Sequence, residues 1–208
     1  MSESKIYHLR TPLKEEDIEK LRIGDIVYLS GTVFTARDEA HAKILELIGK
    51  GESLPMDFKG LALYHCGPVV RKKDDKYEIV AAGPTTSMRM ESVEADFLEK
   101  TGVKMVIGKG GMGSKTAEAM KKHKAVYATF TGGAAVLAAV AVKRVVNVYW
   151  LDELGIPEAV WVLEVEEFGP LVVTIDSTGR NYYEEKLSKA REKAQNEIIP
   201  RLLKESIP

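Results

Sequence analysis

The sequence predicts an α/β domain with mixed sheets and flanking helices, and three observations carry that prediction. Short apolar runs at 26–29, 61–65, 104–107 and 125–130 read as buried strands and alternate with helix-periodic segments. Glycine clusters (Gly108, Gly110, Gly111, Gly113; Gly132, Gly133) sit where a strand gives way to a helix. From residue 144 onward three apolar runs follow one another with only turns between them, so the sheet is mixed.

The elements follow in order. Residues 5–10 read as a leading strand, and Thr11-Pro12 as the start of a helix with Glu15, Glu16 and Asp17 at its positive end. The strand 26–29 continues extended through Val33-Phe34. Thr35 and Asp38 read as a capping box for a helix to about Lys50, with Ala40, Ile44, Leu47 and Ile48 inward and Gly49/Gly51 at its end. Residues 61–82 read as a hairpin-type excursion around the charged turn 72–76. A helix over 93–100, a strand over 104–107, a helix over 114–122, a strand over 125–130 and a buried helix over 134–142 come next. Strands at 145–149, 160–165 and 171–175 follow, with turns at Leu154-Gly155, Gly169-Pro170 and Ser177–Gly179. A charged amphipathic helix over about 183–204, kinked or ended by Pro200, closes the chain.

Length and composition set limits. The chain has 208 residues, fitting a single domain over 1–208, with a formal net charge of −1, so nothing in its balance favours nucleic acid or an anionic membrane. The one cysteine, Cys66, cannot form an internal disulfide or hold a metal cluster unaided, which fits a reducing cytoplasm. Residues 125–142 are almost uncharged, but the Gly132-Gly133 break argues for a buried strand and helix rather than a membrane span. His41 and His65 have no sequence spacing to carboxylates or cysteines that makes a metal site, and both are expected to be structural or surface residues.

The polar material is concentrated between Gly83 and Thr116. Thr85, Thr86, Arg89 and Lys109 stand with the glycine cluster at two strand ends, an arrangement suited to an anion. Gly108-x-Gly110-x-x-Gly113 matches the dinucleotide pattern, yet the next strand carries no acid for the ribose. The P-loop register also fails, because Ser114 intervenes before Lys115-Thr116. A nucleotide- or phosphate-binding module on this turn therefore stands only as the alternative. Arg37, in the first turn of its helix, is unfavourable there unless it faces an anion. Arg89 has Glu91 and Glu94 as candidate surface partners.

Four ordered stretches, GDIVYLSGTVFTARDEAH, HCGPVV, AAGPTTSMRM and KMVIGKGGMGSKT, resemble the β subunit of class I fumarate hydratase and L(+)-tartrate dehydratase, over roughly residues 20 to 185. In single-chain members this is the C-terminal domain. The resemblance implies a swivelling β/β/α domain and reversible addition of water to fumarate, giving (S)-malate, or the corresponding tartrate dehydration. It further implies a [4Fe-4S] cluster held by a separate α subunit, an α2β2 assembly, and no metal on this chain. It places the substrate carboxylates on Arg37, Arg89 and Lys109, with Thr86 and Gly110 beside them, and makes Thr85 the catalytic base. A threonine hydroxyl is a weak acid and needs converging cations for that role.

Overall fold

The computed structural model describes residues 4–205. β1 (Ile6–Arg10), α1 (Glu15–Glu19) and β2 (Ile26–Thr35) lead into α2 (Asp38–Lys50) and β3 (Ala62–Tyr64). β4 (Val69–Lys73) and β5 (Lys76–Ala81) form a separate two-stranded hairpin. A short 3-10 turn at Ser87–Met90 precedes α3 (Glu94–Thr101), β6 (Met105–Gly108), α4 (Ser114–His123), β7 (Val126–Thr129) and α5 (Ala135–Ala141). β8 (Val142–Tyr149), α6 (Leu151–Leu154) and β9 (Val160–Ile175) follow. The chain then runs through α7 (Tyr182–Lys193) and a π-wound turn at Ala194–Ile198 into α8 (Ile199–Glu205).

The main sheet has the order β1-β2-β3-β6-β7-β9-β8. β1, β2, β3, β6 and β7 are mutually parallel where they pair, so β2, β3, β6 and β7 all end on the same side. β9 runs antiparallel to β7 at one end and to β2 along much of its length, which closes β2, β3, β6, β7 and β9 into a ring of hydrogen-bonded strands. The central strands are buried on both faces. Ala62, Tyr64, Met105, Ile107, Val126 and Ala128 enter one core with Leu163, Phe168 and Val173 of β9. Leu63, Val106 and Tyr127 enter a second with Ile44, Phe97 and Met120 from the helices α2, α3 and α4. Burial on both faces is why these strands read as unbroken apolar runs. Each fully buried large apolar side chain contributes about 1.5–3 kcal/mol.

The mixed α/β expectation holds, and several boundaries move. The first helix starts at Glu15 with Lys14 in the capping position, so Thr11-Pro12 precedes it by a short bend. Thr35 is the last residue of β2, not a helix cap: its hydroxyl donates to the Ala159 carbonyl at 3.4 Å and accepts from the Trp161 N–H at 3.1 Å. Arg37 takes the capping position instead. β3 belongs to the main sheet rather than to the hairpin. The turn expected at Gly169-Pro170 lies inside the continuous β9, at an irregularity where Phe168 pairs with Leu29 and Leu171 with Val27, leaving Pro170 out of the ladder. Pro200 does not end the tail, which continues as α8 after the π-wound turn. The 125–142 stretch splits into β7 and α5 as expected, but α5 is not a buried helix: Val136, Leu137 and Val140 face solvent. Among the described residues no helix is long and apolar enough to cross a membrane.

Candidate functional site

The site forms where the parallel strands stop. Arg37 follows β2, His65 and Cys66 follow β3, and Lys109 and Gly110 follow β6, all on the side of the carboxyl ends where open α/β sheets bind ligands. Residues 84–87 are stitched across these ends. Cys66 and Pro84 form an isolated antiparallel bridge, and Thr86 and Lys109 a parallel one. The Thr85 N–H donates to the His65 carbonyl at 2.6 Å, and the Lys109 N–H donates to the Thr85 carbonyl at 3.3 Å. Ser87 N–H donates to the Lys109 carbonyl at 3.1 Å. Thr85 is thereby fixed between β3 and β6 and half-buried, whereas Thr86 is exposed.

The cations are brought to the same edge by different elements. Arg37, half-buried at the head of α2, has its Nε 3.2 Å from Glu158 Oε1. Gly67 leaves room for its guanidinium, since a Cβ there would come within 2.7 Å of Nη1. Arg89, at the end of the 3-10 turn, grips Asp38 through Nε to Oδ1 at 3.2 Å and Nη2 to Oδ2 at 2.6 Å. It therefore pairs with the residue next to Arg37, not with Glu91 or Glu94. Lys109 has no carboxylate partner among the described residues and lies half-buried beside Gly132. Gly110 adopts φ +73, a left-handed conformation suited to glycine, and its carbonyl accepts from the Tyr127 hydroxyl at 3.1 Å.

The amide-rich start of α4 is already filled. Glu91 accepts from the Gly113 N–H at 2.7 Å, the Thr116 N–H at 3.3 Å and the Thr116 hydroxyl at 2.7 Å. The carboxylate stands where a phosphate would sit on a P-loop, which weighs against the nucleotide alternative. Arg37, Arg89 and Lys109 lie outside the helix start, the two arginines paired with Glu158 and Asp38 and Lys109 without a carboxylate partner among the described residues.

Beneath the edge lies a buried polar group. His41 on α2, His65 after β3 and Glu94 on α3 are each fully buried and face one another. Burial alone would raise the Glu94 carboxyl, but the facing His65 and His41 rings outweigh it and hold it at about 2. Burial pushes the His65 ring down from its usual value, against the pull of Glu94. His65 Nδ1 contacts Ser87 Oγ at 2.9 Å, and Ser87 Oγ accepts from the Tyr127 hydroxyl at 2.9 Å. The sequence reading missed Asp38 as the partner of Arg89 and Glu158 as that of Arg37, and it offered Glu91 and Glu94 to Arg89 when they face the α4 amides and the buried histidines. For Glu94 a signal existed: it shares the inner stripe of α3 with Phe97 and Leu98, where an acid is out of place.

The sequence was compared with known proteins. The family model described as the fumarase C-terminus matches residues 1–186. The L(+)-tartrate dehydratase subunit beta of Escherichia coli (strain K12) is 52% identical over 173 residues, 83% of this chain and 84% of that protein. A protein of Methanocaldococcus jannaschii named "Putative L(+)-tartrate dehydratase subunit beta" is 49% identical over 187 residues, 90% of this chain and 95% of its own length. One of Geobacillus stearothermophilus named "Putative fumarate hydratase class I" is 42% identical over 199 residues, 92% of this chain but 37% of that longer protein. With four motifs in order, a cationic strand-end edge and these matches, the chain belongs to the fumarase C-terminus family.

Proposed function

We propose that this chain is the β subunit of a cytoplasmic class I hydro-lyase acting on a four-carbon dicarboxylate, with fumarate and (S)-malate as the leading pair. The observation that carries the reading is the convergence of Arg37, Thr85, Arg89 and Lys109 on one strand-end edge, with Lys109 unpaired among the described residues. A specific observation favours L(+)-tartrate as the second reading: the two-subunit relatives bearing that name are 52% and 49% identical, against 42% for the fumarate hydratase. The swivelling β/β/α description belongs to the same proposal.

The chain's residues do not fit an iron–sulfur cluster. Cys66 is its single cysteine, buried, with a thiol pushed up to about 12 by burial despite the nearby Arg37. In this proposal the [4Fe-4S] cluster is held by the α subunit, and the steps assigned to this chain are its own. Lys109 and the guanidinium edges of Arg37 and Arg89 not engaged by Glu158 and Asp38 take the substrate carboxylates. Removing the proton next to a carboxylate loads that carboxylate with further negative charge, which the same cations stabilise. Thr85, held by backbone bonds on both sides, acts in this proposal as the base in its ionised, alkoxide form, which the neighbouring cations favour, and becomes the hydroxyl on taking the proton. Thr86 and the Gly110 turn border the bound acid.

The partner has a face to dock on. α5 exposes Val136 (66%), Leu137 (53%) and Val140 (70%). The helix adjoins the site directly, because the Ala135 carbonyl accepts the Ala82 N–H at 2.9 Å and Ala135 packs on Gly83. We assign this face to the α subunit in an α2β2 assembly.

The test is hydratase activity under anaerobic conditions, for this chain alone and co-expressed with the α subunit from the same genome. Fumarate loss is followed by ultraviolet absorbance, with tartrate dehydration in parallel. Activity only in the mixture is expected, and the faster substrate decides between the two readings. A mixture inert with both substrates would sink the proposal.

A further inference from the structure

Two imidazoles and a carboxylate meet in the interior from three different elements: His41 from α2, His65 from the end of β3 and Glu94 from α3. Their ligand atoms all lie within 4.8 Å of one another, and all three residues are fully buried. Glu94 Oε2 is 3.0 Å from His65 Nε2 and 3.6 Å from His41 Nε2. Ligands about 2.0–2.2 Å from a tetrahedral zinc stand roughly 3.3 Å apart, between those two separations.

Their orientation points the same way. His41 Nδ1 is 2.7 Å from the Arg37 carbonyl, which can only accept, so Nδ1 donates there and Nε2 faces Glu94. His65 Nδ1 lies 2.9 Å from the Ser87 hydroxyl oxygen, which can accept a hydrogen bond from it and so leave the Nε2 lone pair for the same point. Imidazoles held by a carbonyl or hydroxyl at one nitrogen and free at the other are the pattern of metal-ligating histidines. Despite the short separations, neither Nε2 nor either Glu94 oxygen makes an aligned hydrogen bond. Four buried polar atoms this close without an aligned hydrogen bond are satisfied by an ion held among them.

We infer that His41, His65 and Glu94 form a buried site for one divalent transition-metal ion of the zinc class, with the second Glu94 oxygen available as a fourth ligand. The sequence reading had excluded such a site because the three ligands are far apart along the chain and no spacing rule joins them. The ion is structural, held by three buried side chains. It pins α2, β3 and α3 together directly under Arg37 and under the His65 carbonyl that holds Thr85. The inference does not depend on the hydratase reading, and its test uses no substrate.

The tag-free full chain is unfolded with a chelator, refolded, desalted and offered zinc or cobalt(II). The expected result is about one equivalent of metal retained through gel filtration and a visible cobalt spectrum of a four-coordinate nitrogen and oxygen site. Zinc should raise the melting temperature by about 5 °C or more. Glu94→Gln and His65→Gln should retain less than about a tenth of an equivalent and lose the zinc-dependent shift, while His8→Gln and His123→Gln, on other parts of the molecule, keep both. Should a variant fail to refold, its natively purified form is assayed for zinc by mass spectrometry with the same expectation. A wild-type chain that is folded by circular dichroism yet holds less than about a tenth of an equivalent overturns the site. Equal retention by wild type and Glu94→Gln overturns it as well.

Discussion

Thr85 and Thr86 are neighbours with the same side chain and different surroundings. Thr85 is held through both its N–H and its carbonyl and is half-buried, while Thr86 is exposed and its hydroxyl caps nothing. The proposed mechanism makes Thr85 the base on that difference in backbone anchoring and burial. In the assembled enzyme, Thr85→Val should lower kcat by about a thousandfold with KM within about threefold, and Thr86→Val should leave both within about threefold. Steady-state kinetics decide it, and the reverse pattern would move the base to Thr86. Arg37, Arg89 and Lys109 were singled out in the sequence because each stands in a motif that carries the family resemblance, and their role at the site remains the proposal above. Their counter-ions were not: Asp38 read as part of a capping box, and Glu158 reaches Arg37 only because β9 folds back beside β2. Glu158→Gln removes the charge that aims the Arg37 guanidinium, and should raise KM for the dicarboxylate about three- to tenfold with little change in kcat. An unchanged KM would mean that Arg37 is positioned by Gly67 and the α2 backbone alone.

At the scale of elements, the start of α4 and the end of β6 are each settled by one residue. Glu91 satisfies two otherwise unpaired amides at the head of α4, a role no spacing rule would reveal, since it lies before α3. Glu91→Ala should destabilise the chain by about 1–2 kcal/mol, read as an earlier denaturant midpoint at unchanged m-value. Gly108 marks a close approach: a Cβ there would overlap Ser87 Oγ and come 3.2 Å from the Tyr127 hydroxyl and 3.3 Å from His65 Nδ1. Gly108→Ala should therefore cost about 1–3 kcal/mol by overpacking. A melting temperature equal to wild type would show that Ser87 can swing away freely. Most helices and strands were legible because periodicity and glycine stops agree, as in α2, which ends at Gly51 with φ +70. The breaks that failed share a cause. Thr35 and Gly169-Pro170 carry turn chemistry, but pairing between β2 and β9 overrides it, and long-range pairing leaves no local mark.

For the whole molecule, the telling feature is an apolar helix that the chain does not cover. Residues 134–142 read as buried because nothing in a sequence distinguishes a face covered by its own chain from one covered by another. The strand before it is buried, but Val136, Leu137 and Val140 remain in solvent, with Val80 and Val146 also exposed on the adjoining β5 and β8. Exposed apolar side chains on adjoining elements mark a candidate contact surface, and α5 is tied to the chain at Ala82, three residues before Thr85. The tail offers a rival face, since Leu187 on α7 is also half exposed. Val136→Asp with Val140→Asp changes only solvent-facing positions, so the chain alone should melt as wild type does, within about 0.5 kcal/mol. Co-purification with the α subunit should fall at least about tenfold, because two desolvated carboxylates inside an interface have no partner. Leu187→Asp should leave assembly intact. If Leu187→Asp breaks the complex and the α5 pair does not, the α subunit docks on the tail, and the edge bearing Arg37, Thr85 and Lys109 is closed from the other side.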